Sequence, residues 1–256
     1  MSPPPTIGLR HDVDTLVGLL MGVGRLARIE DRLGVRSSFY VRARLVEHLG
    51  DRACRILEAL EDDGWEVGLH LDDSDATLGT AYREYLALSR CGVRIRGVTV
   101  HGGITGCRGW LTWRTVSMMG VEYIQGCRGA LASHPRVVAA PTIGLDHLVA
   151  IHGPSLAVER AAEMLAGAAY RHGAAVLLTH PVYTLVSASA RRSQEPRRMG
   201  RRVVVVKAAE KLLAALYTLA GRGLTGRPYS SLLGRLLDEG FTLAPLHRIA
   251  EERWAA

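Results

Sequence analysis

The sequence contains no asparagine, and only Gln125 and Gln194 carry glutamine amides. Scarcity of heat-labile amides points to a thermophilic source, although abundant arginine and alanine fit a genome-composition bias equally well. Lysine is nearly absent: Lys207 and Lys211 are the two lysines, so the formal net charge of +7 is carried by arginine. No apolar run reaches the roughly 18–20 residues that a membrane span needs. The start, Met1-Ser2-Pro3-Pro4-Pro5, has neither a basic segment nor an apolar stretch, so a secretory signal is not expected there and the expected location is cytoplasmic. Four cysteines, at 54, 91, 107 and 127, form no C-x-x-C pair, which leaves a zinc finger or thioredoxin-like motif unsupported. They are expected to be small buried hydrophobes; a Cys107–Cys127 bridge cannot be inferred from sequence.

What is present is an alternation of apolar runs and helical segments. With 256 residues, 48% of them hydrophobic, one βα barrel unit is the natural size class, and its core needs no staples. Strands are expected at Thr6–Arg10, Arg36–Val41, Trp65–Leu71, Gly97–His101 and Ala174–Thr179. Helical spacing marks Leu16–Leu33, stopped by Gly34, then Glu47–Asp63, Thr77–Arg90, Leu156–His172, Val205–Leu219 and Ser230–Glu239. Residues 102–150 are glycine-rich with short strands. Strand–helix repetition with short links predicts a parallel sheet covered by helices, in one domain over 1–256 with a helical C-terminal part, 203–256.

Polar residues gather where these strands end. The first runs into His11-Asp12-Val13-Asp14, the third into His70-Leu71-Asp72-Asp73, the fourth into His101-Gly102-Gly103, and that at 174–179 into His180-Pro181. In a βα barrel all these ends lie on the catalytic face. Imidazole with carboxylate suits zinc, iron, nickel or cobalt better than calcium or magnesium. Strand alternation would put Asp12 and Asp14 on one face, one to hold a metal and one to take a proton from water. Simpler roles compete: Asp14 is placed to cap the helix beginning near Thr15. His70 could be a satisfied core histidine, His101 a turn residue and His180 a strand terminus.

These segments resemble the polysaccharide deacetylase (NodB-homology, carbohydrate esterase 4-like) family, in its divergent His-Asp-Val-Asp branch. They are Leu9–Asp14, Ser37–Val41, Gly64–His70, Val98–Gly102 and Leu177–Pro181, in family order and spanning about residues 6–183. The resemblance implies an incomplete (β/α)7-type barrel and metal-dependent hydrolysis of an N-acetyl group on a carbohydrate or related substrate. It makes Asp12 the base, Asp14 and His70 metal ligands and His180 the general acid, with zinc the expected metal and cobalt, nickel or iron the alternatives. The adjacent aspartates usual in the first motif are not adjacent here, so the division of roles among His11, Asp12 and Asp14 stays open. Ser74 stands where the family places its second motif histidine, which leaves Asp72, Asp75 and His101 as third ligand, with His101 favoured. Arg108 could substitute for the family's arginine after the third motif, and Trp110, with Trp113, could stack on sugar.

The arginine run Arg191–Arg202 holds six arginines but lacks interleaved aromatics and any helix-turn-helix or zinc module. A solvated loop is expected rather than a nucleic-acid site, with an anionic glycan or lipid-linked substrate as its functional alternative. Gly22-x-Gly24 and Gly102-Gly103 do not form a dinucleotide fingerprint. Two rivals to the deacetylase remain: hydrolysis of another C–N or glycosidic bond on the same site, and a catalytically silent barrel used for binding.

Overall fold

The computed structural model describes residues 5–72, 78–101, 118–126, 137–185, 223 and 225–255. The helix expected at Val205–Leu219 and the arginine run 191–202 lie outside them. β1 (Thr6–Val13), β2 (Ser38–Val41) and β3 (Glu66–Leu71) are buried along their whole length, as strands covered on both faces must be. β4 (Gly97–Val100), β5 (Tyr123–Gln125), β6 (Val137–Val138), β7 (Thr142–Gly144), β8 (Ala174–Thr179) and β9 (Thr242–Ala244) complete one sheet. Its order is β6-β5-β4-β3-β2-β1-β8-β7, and every pairing is parallel. Among the described residues β6 and β7, its two ends, do not pair, so the barrel is incomplete.

β1 is the hub. One edge pairs with β8 over Thr6–His11; the other pairs with β9 over Thr6–Gly8 and with β2 over Arg10–Val13. The C-terminal region thus adds a strand to the sheet. The expected helix there runs Gly226–Asp238, and Leu246–Ala255 forms a further helix that sequence reading missed.

Helices α1 (Val23–Arg32), α2 (Ala43–Leu49), α3 (Asp51–Asp62), α4 (Leu78–Ser89), α5 (Leu145–His152), α6 (Pro154–His172), α7 (Gly226–Asp238) and α8 (Leu246–Ala255) follow the strands. The first expected helix stops at Gly34, which adopts φ +67°, a conformation that glycine takes without penalty. Its beginning is π-helical over Gly18–Gly22. A side chain at Gly22 would collide with the Pro181 backbone, so glycine lets this turn press on the segment after β8.

Leu9 and Val13 point outward into the main core with Leu26 of α1 and Leu57 of α3. A second cluster fills the barrel interior: Tyr40, Tyr123, Val138 and Val176, closed at the N-terminal end of the strands by Leu246, Ile249 and Ala250 of α8. Glu66 is buried there, accepting hydrogen bonds from Ser38 and Tyr123 and from the His247 backbone amide. The interior is therefore packed at one end and polar at the other. Cys54 of α3 and Cys91, just after α4, form a disulfide, which corrects the expectation that these two are merely buried thiols. Cys107 and Cys127 lie outside the described residues.

Candidate metal centre

β1 extends three residues beyond the expected Arg10, and its alternation decides which residues enter the barrel mouth. Arg10 and Asp12 face inward, and Asp14 follows the strand on the same side. His11 faces outward: its Nε2 lies 2.6 Å from Glu30 Oε1 and its Nδ1 2.6 Å from Thr179 Oγ1. Glu30 also accepts hydrogen bonds from Ser37, Trp65 and Tyr229. His11 is thereby removed from the site. Nor does Asp14 cap the following helix; Thr15 Oγ1 accepts from the Gly18 amide at 3.0 Å.

Asp14 Oδ1, His70 Nε2 and His101 Nδ1 converge into a small triangle. Its sides are 3.4 Å from Asp14 to His70, 3.2 Å from Asp14 to His101 and 3.2 Å between the histidines. Ligands about 2.0–2.2 Å from a tetrahedral zinc stand about 3.3–3.6 Å apart, so the donors match such an ion in type and in spacing. Among the described residues Asp14 Oδ1 is buried without a well-formed hydrogen bond, and a cation would satisfy it. His101, the residue favoured as third ligand, stands beside Asp14 and His70, and these three residues could hold a metal ion.

Electrostatics prepares two of the donors, His70 and Asp14. Burial is the main force on His70, pushing it down to about 4 despite Asp12 and Asp14, so the ring is neutral near pH 7 as a ligand must be. Thr99 Oγ1 sits 2.7 Å from His70 Nδ1; with Nδ1–H donating to it, Nε2 keeps its lone pair for the triangle. Burial would raise Asp14, but His101, His70 and His180 hold its carboxyl well below the usual carboxylate range.

Two residues flank the triangle. Asp12 Oδ2 lies 3.7 Å from His70 Nε2. Arg10 grips both of its oxygens, Nε to Oδ1 at 2.7 Å and Nη2 to Oδ2 at 2.6 Å. Against the effect of burial, Arg10 and then His70 keep Asp12 below the ordinary range. Arg10 in turn donates to Gln125 Oε1 on β5, and Gln125 donates to Thr142 on β7 at 2.9 Å. On the other side His180 Nε2 lies 3.6 Å from Asp14 Oδ2. Its Nδ1 and backbone amide both contact Asp146 Oδ2 at 2.8 Å. Burial opposes its charge, but Asp146, with Asp12 and Asp14, pushes His180 up to about 9.

Asp12, Asp14, His70, His101 and His180 thus meet at one end of the sheet, as expected. Asp72, a third-ligand alternative, instead pairs with Arg42. Asp75, Arg108, Trp110 and Trp113 lie outside the described residues. Sequence reading placed Arg10 in the first motif without a role and missed Gln125, Asp146 and Arg42, whose guanidinium reaches within 3.4 Å of His101 Nε2. Arg10 and Gln125 did carry a signal: each is a polar side chain that follows apolar residues of its own strand. Asp146, in the irregular middle of the chain, carried none.

No family model matches the sequence, and no curated protein matches it. Solved structures do. The wild-type form of a CE4 family pseudoenzyme from Bacillus anthracis superposes with a TM-score of 0.57 at 12% identity, over 96% of this chain and 66% of that one. The chain has the fold of the CE4 polysaccharide deacetylases. The peptidoglycan deacetylase PdaC from Bacillus subtilis gives 0.54 at 12% identity, over 98% and 92% of the two chains. The crystal structure named as that of a 'putative polysaccharide deacetylase' from Mycobacterium smegmatis gives 0.55 at 18%, over 100% and 95%. The likeness to these CE4 structures extends over nearly the whole of this chain.

Proposed function

We propose that the chain is a metal-dependent deacetylase that hydrolyses an N-acetyl group on a carbohydrate or related substrate. The observation that carries this reading is the Asp14–His70–His101 triangle flanked by a carboxylate on one side and a charged imidazole on the other. Asp14, His70 and His101 would hold a divalent transition metal, zinc being the first expectation from the donor set. Such an ion supplies Lewis-acid polarisation of the amide carbonyl.

The chain's own groups do the proton work. Asp12, ionised and fixed by Arg10, accepts a proton from the attacking water as its oxygen bonds to the carbonyl carbon. As the C–N bond breaks, the amine nitrogen takes a proton from His180 Nε2. Asp146 keeps that imidazole oriented and protonated. Arg108 and Trp110 are proposed to contact the substrate. Acetate release from N-acetylglucosamine oligomers tests the reading: wild type with zinc should release acetate, and Asp12→Asn and His180→Gln should lose most of that activity. Undiminished release by both variants would refute it.

A second reading, a silent barrel that binds without hydrolysis, draws on one observation. Both oxygens of Asp12 are engaged by Arg10, which weakens it as a base; a pseudoenzyme also stands among the similar structures. Metal and sugar binding without acetate release would favour it.

A further inference from the structure

Beyond the metal centre, the outer rim of the barrel carries a second feature that the deacetylase reading does not use. A cleft of about 640 Å³ opens between α1 and the first turn of α7. Arg25, Arg28 and Arg32 line it from α1, spaced three and four residues apart and so on one helix face. Arg227 lines it from α7, and Met21 and Leu185 give it an apolar wall. None of the four arginines has a carboxylate partner among the described residues. The acidic residues of α1 are committed elsewhere: Glu30 to His11, Trp65 and Tyr229, and Asp31 to Arg36 at 3.0 Å.

The end of α7 adds to this positive field. The helix has no acidic residue in its first turn and no side-chain cap, and its N-cap hydroxyl, Thr225 Oγ1, is fully buried without a hydrogen-bond partner among the described residues. A helix N-terminus of this kind presents unsatisfied amides and partial positive charge. Arg25 reaches the start of α7: its Nε lies 3.5 Å from where a Cβ would stand at Gly226, an ordinary contact distance. Four guanidiniums and a helix end overcompensate a single carboxylate, whereas a multiply charged phosphoryl group accepts several paired N–H donors at once.

We propose that this cleft is a binding site for a phosphoryl anion, with Arg25, Arg28, Arg32 and Arg227 as its donors. The apolar wall takes the organic part of the ligand. Leu185 stands five residues beyond His180, so a ligand held here sits on the rim from which the general acid projects. The site does not depend on the deacetylase reading.

Calorimetric titration with pyrophosphate at low salt tests it. Wild type should bind, His70→Ala should bind equally, and Arg28→Ala and Arg227→Ala should each lose about tenfold or more in affinity. Both arginines are exposed, and circular dichroism verifies that the variants fold. Arg28→Lys, which keeps the charge without the fork, should fall between. Vesicles of phosphatidylglycerol and phosphatidylcholine separate the sources. Sedimentation with them that pyrophosphate reverses identifies a lipid headgroup; pyrophosphate binding without sedimentation identifies a small phosphoryl ester. Absence of pyrophosphate binding, or binding that both arginine variants leave intact, overturns the proposal. So does retention of a single-stranded oligonucleotide that saturating pyrophosphate does not displace.

Discussion

Arg10 and Asp12 stand two residues apart on the inner face of β1, and the guanidinium of one closes on both carboxylate oxygens of the other at 2.6–2.7 Å. The pair lies within the barrel mouth, where an unpaired charge would be costly. Arg10→Met should therefore destabilise the fold by about 3–5 kcal/mol, the usual result of orphaning a buried ion. Urea unfolding at pH 7 measures this. Because Arg10 helps hold Asp12 below its ordinary range, Asp12 contributes stability above its unfolded pKa that is lost as pH falls through the folded one. The variant should lack this part of the acid dependence.

His180 reports on Asp146 through pH. Its folded pKa, about 9, lies above the ordinary 6.5. Its contribution to stability is thus fully present below about 6.5 and is lost as pH rises through about 9. Asp146→Asn should flatten this loss in melting curves recorded between those limits, and should move the basic limb of any hydrolytic activity to lower pH. An unchanged profile would separate His180 from Asp146.

The Cys54–Cys91 disulfide closes a sequence separation of 37 residues. On the chain-entropy account a loop of this length is worth about 4 kcal/mol. Cys54→Ser, or reduction of wild type, should lower the unfolding free energy by about that amount. Equal denaturation midpoints in oxidised and reduced protein would show that the bridge does not constrain the unfolded chain.

The parts legible in the sequence were those written in local pattern. Strand endings at Asp12, His70, His101 and His180 could be read because each strand was a compact apolar run followed by a chemically distinctive residue. Facing was harder. His11 adjoins Asp12 in sequence, yet one step along a strand sends it to the opposite side of the sheet, into the Glu30 network. The partners of the site come from far along the chain: Gln125 is 115 residues from Arg10 and Asp146 34 from His180. No local period links them. The helix α8 was missed because its apolar residues, Leu246, Ile249 and Ala250, fill only a short stripe in a polar terminus.

Orientation of His70 by Thr99 gives a finer test of the centre. Thr99→Val removes the hydroxyl 2.7 Å from His70 Nδ1 at nearly constant volume. It should weaken zinc affinity about 10–100-fold, as loss of a partner behind a ligand histidine does, with little change in fold. Competition with a chromogenic chelator gives the affinity.

The most direct measurement is metal stoichiometry in protein purified without chelators, compared across Asp14→Ala, His70→Ala and His101→Ala. Wild-type protein should carry about one transition-metal ion per chain, with an anomalous diffraction peak between these three side chains, and each variant should lose that ion. Wild-type protein that takes up no zinc, or a His101→Ala variant that retains the ion undiminished, would contradict a metal centre at these residues.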